Sequence, residues 1–222
     1  MPGLPPLTLA ALKEEAGKYA LSTSATPIPE LYGVTDGKAV GTHVEAAFNA
    51  YVLQHFTYHE GNAAMGIDFP GLDADLKVTS IRQPQSSSPF RDATQKVYGL
   101  GYHLIVLVYE KSDDAQLHAA RLDIRHVVFL DRAVTGDFQT TTGIRKILDN
   151  GGNADDIDGF LEERNLPLDE VGRRQLAERI IEEPPVIGCL TISNALQWRL
   201  QYNRAIQLAS GGATPGVEDL RA

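Results

Sequence analysis

Apolar residues recur at helical spacing near the start of the chain, then alternate or run unbroken in its middle. Leu9, Leu12 and Ala16, beside Lys13, Glu14 and Glu15, predict a helix over about 7–20. The Ser-, Thr- and Pro-rich stretch 22–29 predicts a loop. Val40, Val44, Phe48 and Tyr51 predict a second helix over about 39–54. Leu76 and Val78 then alternate with Asp75, Lys77 and Thr79, so a strand sends the two sets to opposite faces. Just upstream, Phe69-Pro-Gly-Leu can turn the chain and bring Asp68 beside Asp75 in a short hairpin. The segment 82–89, Arg-Gln-Pro-Gln-Ser-Ser-Ser-Pro, predicts an ordered or ligand-contacting loop. The unbroken run 104–109 predicts a central strand buried on both faces, and 122–130 a second strand. Four helices are expected beyond, at about 142–148, 154–163, 169–182 and 192–208, with Pro184, Pro185 and Gly188 separating the last two. This order of elements predicts an α/β fold: a mixed β-sheet with helices on both faces and a helical C-terminal part.

Composition narrows the class. With 222 residues and 43% hydrophobic content, the chain can bury a core as one domain spanning 1–222. No apolar run is long enough for a membrane span, and the first residues lack a signal-type pattern. The single cysteine, Cys189, excludes intramolecular disulfides and multi-cysteine zinc sites, and a reducing, cytoplasmic setting is expected. A net charge of −9 opposes general polyanion binding. The charge is uneven, however. Acids crowd 155–183, whereas 76–90 and 184–217 contain none, so a localised nucleic-acid site is compatible with the acidic whole.

The candidate chemistry lies in the predicted hairpin. Asp68 and Asp75 together suit a hard divalent cation, with the Lys77 ammonium beside them, an arrangement fit for metal-assisted phosphodiester hydrolysis. The plainer alternative is a polar hairpin with a surface salt bridge. Arg82, Gln83, Gln85, Ser86, Ser87, Ser88 and Arg91 leave the same strand directly and are candidate DNA contacts. Asn194, Gln197, Gln201 and Arg204 would form one carboxylate-free stripe on the predicted last helix, able to read bases or to face solvent. Other patterns carry less. His55, His59 and Glu60 are in the wrong order for a zinc protease, Gly99-Leu-Gly101 precedes a strand, and Trp198 reads as core.

Asp68-Phe-Pro-x-Leu-x-x-Asp75-Leu-Lys77 resembles the PD-(D/E)xK nuclease motif, in the form found in mismatch-repair nicking endonucleases and their restriction-enzyme relatives. Lys38-Ala-Val-Gly-Thr-His-Val-Glu45 resembles a helical segment of the same group. Asp75 stands where those relatives carry Glu. The resemblance implies a restriction-endonuclease-like fold with a catalytic core at about 36–131 and a helical region at about 140–210. It implies Asp68 and Asp75 as Mg2+ ligands, with the backbone carbonyl of Leu76. It also implies Lys77 as catalytic lysine and Glu45, in rivalry with Glu60, as a further carboxylate. The expected activity is a type II restriction endonuclease cutting double-stranded DNA as a homodimer, with a DNA methyltransferase as genetic partner. The alternatives are a monomeric nicking or repair nuclease and a non-catalytic DNA-binding protein.

Overall fold

Thr8 opens the first helix: its hydroxyl accepts the Ala11 N–H, and α1 runs Leu9–Ala25. The computed structural model describes residues 3–59, 66–89, 91–193 and 198–221. α1 continues through part of the expected loop because the Ser24 hydroxyl turns back onto the Ala20 carbonyl. It stops at Thr26, which is extended ahead of Pro27. α2, Gly37–Leu53, is capped by the Asp36 carboxylate, which accepts the Lys38 and Ala39 N–H groups. Its buried stripe is Val40, Val44, Phe48 and Val52.

The central sheet has strand order β1 (Ala74–Ser80), β3 (His103–Asp114), β4 (Ala119–Leu130) and β7 (Val217–Asp219). β1 runs parallel to β3, and the other pairs are antiparallel, so the sheet is mixed and β1 is an edge. On one face Leu76, Ile105, Leu107 and Leu122 pack against α1 and α2. On the other, Leu104, Val106, Val108 and Val128 pack against a second sheet and the last helix. Burial on both faces is why the 104–109 run has no polar break. A third cluster joins α3 (Gln95–Tyr98), α4 (Phe138–Asp149), α5 (Ala154–Glu163) and α6 (Glu170–Glu182). No helix among the described residues is long and apolar enough to cross a membrane.

Two expectations are corrected. The segment 82–89 contains a strand, β2 (Gln85–Ser88), and the helix expected over 192–208 is absent. In its place stand β5 (Thr191–Ser193), β6 (Trp198–Gln201) and a shorter α7 (Asn203–Gly211). β2, β6 and β5 form an antiparallel three-stranded sheet in that order. The deciding pattern is Trp198, Leu200 and Tyr202: all three are buried, with Arg199 exposed between the first two. That is a period of two, and burial against the central sheet selects it over the helical period of the polar residues. The polar stripe through Gln201 and Arg204 therefore does not exist as one helix face.

Candidate active site

The chain turns ahead of β1 as the Phe69-Pro-Gly-Leu pattern predicts. Phe69 and Ala74 exchange backbone hydrogen bonds of 2.9 and 3.2 Å around a 3-10 turn at Pro70–Leu72. Asp73 closes the turn in the left-handed region at φ 47°. The next outward-facing amide, Leu76 N–H, donates to Asp68 Oδ2 at 2.9 Å. Within a strand, a residue's N–H and C=O point to the same side. The Leu76 carbonyl thus faces the Asp68 side, away from β3.

Asp75 and Lys77 share the opposite side-chain face from Leu76. Lys77 Nζ lies 2.6 Å from Asp75 Oδ2, with the Asp75 side chain 1% and the Lys77 side chain 18% exposed. Burial pushes the Asp75 carboxyl up to about 7; Lys77 opposes the rise, and Asp68 adds to it through its charge and a hydrogen bond. Burial pulls Lys77 down, but attraction to Asp75 and Asp68 outweighs it and holds the ammonium above its ordinary pKa. The ion pair with Asp75 thus favours the charged form of Lys77.

Glu45 projects from α2 toward the same edge. Burial raises its pKa, the nearby Lys77 ammonium lowers it in part, and Asp68 raises it further. Glu45, Asp68, Asp75 and Lys77 are thus within electrostatic reach of one another. Glu60, its rival, lies outside the described residues. A cleft of about 520 Å3 beside Glu45 is lined by Lys38, Thr42, Gln85, Ser86 and Ser87. A second, of about 530 Å3, continues along β1 past Thr79, Arg82 and Gln83.

Three carboxylates face one ammonium, and Asp75 Oδ2 is buried with no hydrogen bond of good geometry. Among the described residues no three His, Cys, Asp or Glu side chains are grouped to hold a metal ion. A cation here would rest on Asp68, Asp75 and the Leu76 carbonyl, with solvent completing its shell. These are hard oxygen donors of the kind Mg2+ takes, so the residues fit the ion.

The remaining candidates separate. Arg82, Gln83, Ser87 and Arg91 are exposed, and Gln85 and Gln201 are half-buried. Ser88 is fully buried, its hydroxyl 2.5 Å from the Tyr102 hydroxyl, so it packs behind the cleft instead of lining it. Ser86 makes the same contact with Tyr202 at 2.5 Å. Arg204 stacks on the Phe138 ring at 3.4 Å from its centroid. Asn194 and Gln197 lie outside the described residues. Three positioning residues escape sequence reasoning. Tyr102 and Tyr202, both electrostatically coupled to Asp75, hold β2 in place, and the Thr79 hydroxyl bonds the Gln85 backbone at 3.0 and 3.1 Å. Only the alternation of Thr79 with Val78 signals any of them.

Comparison with known proteins shows the family. The family model of the type II restriction enzyme NspV matches residues 6–219. The curated type II restriction enzyme NspV of Nostoc sp. (strain ATCC 29411 / PCC 7524) is 53% identical over 203 residues, covering 91% of this chain and 92% of that protein. No solved structure matches. The resemblance to restriction endonucleases is borne out over nearly the whole length: the chain belongs to the NspV family of type II restriction enzymes, site-specific DNA endonucleases of restriction systems.

Proposed function

We propose that this restriction enzyme hydrolyses double-stranded DNA with Mg2+ at the exposed edge of β1, in a cytoplasmic restriction–modification system whose methyltransferase is its genetic partner. Type II restriction enzymes generally use divalent metal ions and act on double-stranded DNA. The observation that carries the reading is the buried Asp75–Lys77 pair on an edge strand, with Asp68 tied to the same strand by the Leu76 N–H.

In this reading Asp68, Asp75 and the Leu76 carbonyl hold the ion, and Glu45 tunes the site or helps hold a second ion indirectly. A bound Mg2+ supplies Lewis acidity to the scissile phosphate and acidifies the attacking water. Lys77, kept charged by Asp75, donates to a phosphate oxygen or orients the water, and stabilises negative charge as it builds. Arg82 and Gln83, which line the cleft along β1, and the exposed Arg91 would contact the DNA backbone. Cutting both strands of a symmetric site calls for two such sites, so a C2 homodimer is the assembly proposed.

The test is digestion of a fully sequenced phage genome with Mg2+, followed by mapping of fragment ends. The wild type is expected to leave discrete ends sharing a short palindrome. Asp75→Ala and Lys77→Ala are each expected to slow cleavage by at least about a hundredfold. If all three proteins bind DNA and none cuts it, the catalytic reading fails. Supercoiled plasmid that is nicked and never linearised would contradict the dimer.

A further inference from the structure

The small sheet β2–β6–β5 has two unlike faces. Its inner face carries Ser88, Trp198, Leu200 and Ile192, all buried. Its outer face is a grid of two rows. Register places Gln85, Gln201 and Thr191 across the three strands in one row, and Ser87, Arg199 and Ser193 in the other. Ser87 and Arg199 are exposed and the other four are half-buried. None of the six side chains has a hydrogen bond or ion pair among the described residues. No carboxylate interrupts the grid. The contrast with α5 and α6 is plain, since there Arg173 and Arg174 are engaged by Asp158, Glu162, Asp155 and Glu178.

The grid is joined to the catalytic strand. Gln85 and Ser87 line the cleft that also contains Glu45. The Gln85 backbone is bonded on both its N–H and its carbonyl to Thr79, which is two residues beyond Lys77 on the same face of β1. From behind, Ser86–Tyr202 and Ser88–Tyr102 hydrogen bonds fasten β2 to the body of the protein. The distance between this face and the Asp75–Lys77 pair is therefore set by packing and not by a free loop.

We propose that the outer face of β2–β6–β5 reads base edges in the DNA major groove, with Arg199 on a guanine and Gln85 and Gln201 on adenines. The inference rests on the nuclease reading above and assigns its specificity. The major groove admits β-structure. Arg pairs bidentately with guanine O6 and N7, and Gln with adenine N6 and N7, while Ser and Thr accommodate either base. Residues two apart on a strand are about 6.8 Å from each other, the span of about two base-pair steps. The absence of Asp and Glu spares the face phosphate repulsion at close approach.

The deciding experiment compares wild type with Arg199→Ala, Gln201→Ala and Gln85→Ala. Cut sites are mapped on a sequenced phage genome. Binding is measured on the wild-type cut sequence and on its single-base variants over a range of salt. Each substitution is expected to weaken binding to the cut sequence by about 10- to 100-fold and to erase discrimination at one base pair, with the salt slope unchanged. Even loss on every sequence, with the salt slope reduced by about one, would make Arg199 a phosphate contact and overturn its assignment. Unchanged discrimination in the variants, with wild-type melting curves, overturns the proposal as a whole. Gln85 is on a different strand from Arg199 and Gln201, so its variant still decides if those two misfold. Failure of the wild type to cut any sequence would sink the nuclease reading; normal cutting with unaltered site choice in the variants sinks only this one.

Discussion

At the residue scale, Asp75 is the group on which folding and the proposed metal binding make opposite demands. Its carboxyl is almost sealed from water, beside a second carboxylate, and its pKa stands at about 7 against an ordinary 3.8. The folded state thus binds this proton more tightly than the unfolded chain does. Between about pH 4 and pH 7 the group's contribution to stability falls as pH rises, in the absence of a cation. A metal ion needs the ionised form, so it must displace the proton at pH 6 but finds the carboxylate mostly free at pH 8. Glu45, also raised by burial, acts in the same direction. The rise in Tm produced by Mg2+ should therefore be larger at pH 8 than at pH 6. A thermal-shift series with and without EDTA checks this, and equal shifts at the two pH values would contradict it.

At the element scale, β1 was largely legible because its period of two is carried by strong signals, Leu76 and Val78 on one face and Asp75, Lys77 and Thr79 on the other. β2 and β6 were not. Gln85-Ser-Ser-Ser88 has little intrinsic strand preference, and its ladder partner lies more than a hundred residues downstream. Among the contacts that place β5 against the body is a buried side chain, Asp137. It caps α4 through the Thr140 N–H at 2.8 Å and accepts the Ile192 N–H at 2.8 Å. Replacing it with Ala removes the cap and leaves a buried amide unpaired, which should destabilise the protein by about 3 kcal/mol in urea titrations. A loss below about 1 kcal/mol would mean that Asp137 does not hold β5 in place.

At the scale of the whole molecule, charge is segregated. Much of the −9 total lies on the α5–α6 side, while the outer face of β2–β6–β5 carries Arg199 and amides with no carboxylate, and the acids at the edge of β1 are the cluster around Lys77. A polyanion is thereby steered to one side of an acidic protein. Arg82 is exposed on the cleft along β1 with no ion pair among the described residues. Arg82→Ala should weaken DNA binding evenly across sequences and reduce the salt slope by about one, read from affinity against salt concentration. Loss confined to one base pair would instead make it a base contact.

The amino-acid order by itself determined the candidate site: two carboxylates and a lysine, in a turn-then-strand pattern whose spacing is local and needs no distant partner. It also determined the long buried strands, because unbroken apolar runs have one stable environment. Tertiary structure alone decided which way 192–208 would fold, since the same residues satisfy a helical polar stripe and a two-residue apolar alternation. It decided too that Asp75 and Lys77 are enclosed as a pair and that Tyr102, Tyr202 and Thr79 brace the cleft. Burial and long-range pairing set those outcomes, and neither is visible until the chain has closed on itself.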